Sequence, residues 1–206
     1  MKKKIVSIII CVAVLGGCLG ITRSSKADLN NIAVFKNLQS QNVTGASLSD
    51  VAVTGKNTEI TNKDLNDAMK YYMANGESSE KAKEDALEYL EEYNALYVQA
   101  KNKGYSVTEK EVDDYLAGLK ADMETAENKS DIKAIIAAYG NEDDYWKHLK
   151  KVYMKALVVM KYTKDLESDF AKNYSGEKNS TEYSDAWDKE FSQIKADAVK
   201  SENYKE

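Results

Sequence analysis

Proline is absent from all 206 residues, so no position forces a helix to kink or break from within. Cysteine occurs only as Cys11 and Cys18, which leaves the rest of the chain with neither a disulfide framework nor a thiolate metal site. A single histidine, His148, excludes paired-imidazole chemistry and leaves a Ser-His-Asp set nothing to be assembled around elsewhere. No glycine-rich phosphate loop and no calcium-loop pattern occur. Basic charge is also short. The chain carries a net charge of -5, and beyond Ala27 24 basic residues face 34 acidic ones, a net charge of -10. Nucleic-acid binding generally needs a concentrated basic face, so it is excluded as a function class. The acidic residues alternate with lysines along helical stretches, the pattern of a solvated surface.

The one long apolar run is N-terminal. Met1 to Ala27 reads as an export signal, with Lys2, Lys3 and Lys4 as its positive region and Ile5 to Gly17 as its apolar core. Two processing routes fit: Leu15-Gly16-Gly17-Cys18 has the form of a bacterial lipobox, and Ser25-Lys26-Ala27 is a small-x-small site for ordinary signal peptidase. The first route makes Cys18 a lipidated N-terminus that anchors the protein on the outer face of the cytoplasmic membrane; the second secretes it. Gly16, Gly17 and Gly20 interrupt a span already short for an uncleaved anchor. Asp28 to Asp50 is rich in Asn, Ser and Gln without sustained periodicity, and reads as a flexible tether.

The rest has helical spacing, and the 43% hydrophobic content of the 206-residue chain suits one domain with its own core. Val51 to Gly55 is a brief extended segment and turn, after which Thr61 and Asp64 cap a helix carrying Leu65, Ala68, Met69, Tyr72 and Met73. A long helix follows from Ser78 or Ser79, with Ala82, Ala86, Leu90, Tyr93, Tyr97 and Ala100 on one stripe and Gly104 as its stop. Thr108 and Glu111 form a capping box before Val112, Tyr115, Leu116, Leu119 and Met123. These two helices are expected to form a long central hairpin. Asp131 to Tyr139 is a short helix, and from Asn141 or Glu142 the longest periodic run extends through Tyr145, Leu149, Tyr153, Ala156, Met160 and Leu166 to Phe170. Ser175 to Glu182 reads as a linker, and a last helix from Tyr183 to about Glu202 carries Trp187, Phe191, Ile194 and Ala198 on one face.

The ordered series Ala86, Leu87, Leu90, then Leu96-Tyr97-x-x-Ala100-Lys101-x-x-Gly104, then Val107-Thr108-x-x-Glu111-Val112-Asp113-x-x-Leu116 resembles the N-terminal domain of the extracytoplasmic chaperones SurA and PrsA. The likeness extends over about Val51 to Tyr162. It implies an all-α bundle of five to six helices, like the trigger-factor C-terminal fold, in which a C-terminal helix returns to complete the bundle. In that family parvulin isomerase modules stand before the returning helix; here there is only the eight-residue linker. The parvulin histidine pair and its cysteine or aspartate partner have no counterpart, so the resemblance implies a chaperone without catalysis, cofactor or metal.

Site residues follow from the same reading. Tyr71, Tyr72, Met73, Tyr89, Tyr93, Leu96, Tyr153 and Met154 offer more large apolar surface than single stripes require, and are read either as core or as an aromatic-lined cradle for clients. Asp113-Asp114 and Asp143-Asp144 stand in first helical turns, where the backbone dipole favours negative charge. The expected function is a holdase for unfolded or partly folded exported proteins, self-associating as a homodimer or acting alone. The alternatives are a degenerate peptidyl-prolyl isomerase relative, or a structural or adhesive helical surface protein.

Overall fold

A computed structural model describes residues 37–38, 40–126, 129–138 and 140–205. The expected export signal, the lipidation candidate Cys18 and the expected tether up to residue 36 lie outside these. The described chain is mostly helical, as expected of an all-α bundle, with one small sheet added. That sheet is an antiparallel hairpin of β1 (Val51–Thr54) and β2 (Glu59–Thr61). Val51 opposes Thr61 and Val53 opposes Ile60, so Ala52 is an extra residue, a bulge in β1. Val53 and Ile60 point into the core.

Thr61 ends β2 and caps the first helix. Its amide donates to Asp64 at 3.1 Å while the Asp64 amide donates to the Thr61 hydroxyl at 3.1 Å, a closed capping box. The first helix, α1, is Asn62–Ala74, and the second, α2, is Ser79–Asn102 with Ser78 as its cap. Gly104 takes φ +88°, a left-handed value that a side chain resists, and stops the chain just past α2. Thr108 and Glu111 form the second capping box, opening α3 (Glu109–Thr125). After it come α4 (Lys129–Ala138), α5 (Glu142–Asn173, capped by Asn141) and α6 (Thr181–Glu202, capped by Ser180).

The helices build two cores. One joins the hairpin, α1 and α2 with Val158, Val159 and Tyr162 of α5 and Ala198 of α6. The other joins Val112, Leu116, Leu119 and Met123 of α3 and Ile132 of α4 with Tyr145, Leu149, Tyr153, Ala156 and Leu157 of α5. The 32-residue α5 is thus common to both, its apolar stripe passing from one core to the other between Leu157 and Val158. Each large apolar side chain buried there contributes roughly 1.5–3 kcal/mol.

Three expectations change in detail. The helices of the expected hairpin, α2 and α3, share the turn at 103–108 but serve different cores: α2 packs mainly on α1 and α6, and α3 on α5. The expected tether ends before Asp50: the Val43 amide donates to Asn66 Oδ1 at 2.6 Å, and the amides of Asn62 and Lys63 donate to the carbonyls of Asp50 and Leu48 at 2.8 and 3.1 Å. The expected linker gives way to helix at Thr181, since the Ser180 hydroxyl accepts the Tyr183 amide at 3.1 Å.

The C-terminal helix returns as expected. It lies on α2, where Lys195 and Glu92 pair at 2.5 Å, and the chain beyond it forms a bridge from Lys205 to Thr54 on β1. The Tyr204 hydroxyl donates to the Glu91 carbonyl at 3.2 Å.

Candidate functional site

The eight residues read as either core or cradle do not form one surface, and most of them are core. Leu96 and Tyr153 are fully buried, and in different cores; Tyr71, Tyr89 and Tyr93 are also buried. Tyr89, Tyr93 and Tyr97 recur every fourth residue along α2, with the first two rings stacked at 6.0 Å. Toward Tyr93 and Tyr97 the ladder meets α5, whose Lys155 donates to Asn94 Oδ1 and sets its ammonium 4.9 and 5.0 Å from those two ring centres. Burial pushes Lys155 down to about 8, against a smaller opposing pull from Asp64. Tyr72, Met73 and Met154 keep partial access to solvent. Tyr72 stands edge-on to Tyr71 at 5.4 Å; burial first, and then Asp85, Glu77, Glu88 and Glu92, raise its hydroxyl to about 12.

An apolar groove of about 500 Å³ lies instead beside β1. Leu65 and Met69 of α1 and Val53 form its floor; Val51 and Ala52, Val43 and Ala46, and Leu87 form its walls. Polar groups edge it: Asn62, Thr44, Ser79, and the oppositely charged Glu80 and Lys83. Two large side chains near it stand out. Leu48 and Val51 are 42% and 45% exposed, the exposed large hydrophobics among the described residues. The strand alternation explains Val51, since Val53 faces inward and the bulge at Ala52 leaves Val51 turned outward. The groove can take apolar side chains from an extended segment lying along β1.

The chain matches no family model, no curated protein and no solved structure. The resemblance to SurA and PrsA therefore stands on the sequence motifs named above.

The remaining candidates are structural where the structure describes them. Asp113 pairs with Lys150 at 2.9 Å, and Asp114 with Lys110 at 2.5 Å. Asp144 accepts from the Asn141 side chain at 2.5 Å within the cap of α5. His148 is half-buried on that helix. Among the described residues no helix is long and apolar enough to cross a membrane, and no cluster of three His, Cys, Asp or Glu side chains could hold a metal. Sequence reasoning missed the groove because Val43 and Ala46 sit in a segment whose composition is that of a spacer. Leu48-x-x-Val51 was the available signal: two large hydrophobics in a polar stretch, immediately before a strand.

Proposed function

We propose that the protein is a holdase-type chaperone acting outside the cytoplasm, which binds non-native exported proteins reversibly and without catalysis. The observation that carries this reading is the open apolar groove beside β1, with the exposed Leu48 and Val51 next to it. Its floor is aliphatic and thioether, with polar groups confined to the edge, so it selects exposed apolar chain rather than a particular sequence. Reversible capture lowers the concentration of aggregation-prone species without any chemical step. The N-terminal export signal supplies the compartment in this reading, and Cys18, if lipidated, the attachment to the membrane. The motifs shared with SurA and PrsA support the same assignment.

The test is light scattering from a reduced, aggregating model protein in the presence of the purified chain, with the assembly state measured alongside. Suppression at near-stoichiometric ratios is expected, and Val51→Asp or Leu48→Asp should remove it while leaving the circular dichroism melt unchanged, since both side chains already face solvent. Absence of suppression by folded wild-type protein overturns the reading, and so does full suppression by both variants. Turnover of an X-Pro peptide would move the assignment to an isomerase.

A further inference from the structure

A second pocket, of about 390 Å³, lies in the other core's periphery, between the last turns of α3, the helix α4 and the start of α5. It is large enough for a small ligand, since such sites run from about 300 to 1,000 Å³. Its apolar lining is Met123, Ile132 and Ile136 with the half-buried indole of Trp146. Five charged side chains border it, and their pairing decides what it can hold. Lys120 pairs with Glu142 at 3.1 Å and stands 5.2 Å from the centre of the Trp146 ring, while the Trp146 Nε1–H donates to the same carboxylate at 3.1 Å. Lys129 pairs with Glu124. Both glutamates are held below the usual carboxylate range, Glu142 first by the indole hydrogen bond and then by Lys120, Glu124 first by Lys129, so both stay ionised at neutral pH and cancel those two lysines. Lys133 remains, acting on both glutamates only at longer range and leaving the five side chains one positive charge in surplus. It is exposed, faces the pocket and forms no ion pair among the described residues.

An apolar lining with one surplus positive charge at its edge, on a chain whose net charge is -5, is complementary to one kind of ligand. We infer that this pocket binds a small amphiphilic carboxylate, its apolar chain lying over Trp146, Ile132 and Ile136 and its negative charge beside Lys133. The site is independent of the groove beside β1 and shares no residue with it.

Trp146 makes the pocket report on itself. The chain has two tryptophans, so Trp187→Phe leaves the pocket's indole as the single emitter. Decanoate, below its micellar concentration, should shift Trp146 emission saturably with one site per chain. Decylammonium, of the same length and opposite charge, should bind at least about fivefold more weakly, the scale of one partly exposed ion pair. Lys133→Glu should reverse that order, and Lys133→Gln should abolish it; Lys133 is exposed, so neither substitution should alter the thermal melt. No saturable change at Trp146 overturns the inference, even if calorimetry records heat, because binding would then be elsewhere. Equal binding of the two amphiphiles to the parent, or a preference unmoved by Lys133→Glu, overturns it as well.

Discussion

The carboxylate of Glu202 accepts both hydrogen bonds that Asn57 can aim at it, from the backbone amide and from the side-chain amide, each at 2.8 Å. Glu202 is 3% exposed, and its carbonyl accepts the Lys56 amide at 2.7 Å, so the end of α6 is fastened to the turn of the β-hairpin at three points. Glu202→Ala removes the two charge-assisted hydrogen bonds from Asn57, a loss of about 1–3 kcal/mol. Urea unfolding should show a lower midpoint at unchanged slope, and the amides of 203–205 should exchange faster.

Gly55 lies under the ring of Tyr204. A Cβ placed there would stand 2.6 Å from Tyr204 Cε1 and 3.2 Å from the Thr58 carbonyl oxygen. Gly55→Ala should therefore cost about 1–3 kcal/mol through forced displacement of the ring. The same substitution made on a Tyr204→Ala background should cost less, and a double-mutant cycle gives the coupling directly.

Lys155 sets a pH dependence of unusual sign. Its folded value, about 8, lies below the ordinary lysine value of 10.5, so between those two pH values the unfolded chain binds more protons and stability rises with pH. The full rise is about 3 kcal/mol. Tyr72 acts oppositely: raised to about 12, it keeps its proton in the folded state while the unfolded chain loses it, and stability falls as pH climbs past 10. Urea unfolding from pH 7 to 11 should pass through a maximum near pH 10, and Lys155→Met should flatten its rising limb.

The second core should yield separately from the first. Leu149 is fully buried on α5, and Leu149→Ala should cost about 2–5 kcal/mol. Hydrogen exchange should show protection lost first across 112–123, with the amides of 89–96 in the other core retained longer.

Local signals were legible because they need only neighbouring residues. Both capping boxes, the left-handed Gly104 and the stripe of α5 are written in intervals of three and four. The C-terminal helix was legible from the Trp187, Phe191, Ile194 and Ala198 stripe, whereas its return onto the bundle was only what the family resemblance implied. What escaped depends on distant partners. Tyr89 and Tyr93 are large and amphipathic enough for a binding surface, and it is packing within the first core, with Lys155 of α5 over Tyr93, that makes them interior. Ile60 and Thr61 read as a helix entrance because β2 has three residues and is identified only by its pairing with β1. The groove escaped for the same reason, since Val43 gains its place through Asn66, twenty-three residues away.

The two cores differ in how their residues are distributed along the chain. Every buried member of the second falls between Val112 and Leu157, whereas the first begins at Val53 and is closed only by Ala198. A chain emerging N-terminus first holds all of the second core's buried residues some forty residues before it can close the first. Contacts between near neighbours also form faster than those between distant segments. The groove beside β1 lies against the later-closing first core, so a chain truncated before α6 would hold every buried residue of the second core and an unfinished first one.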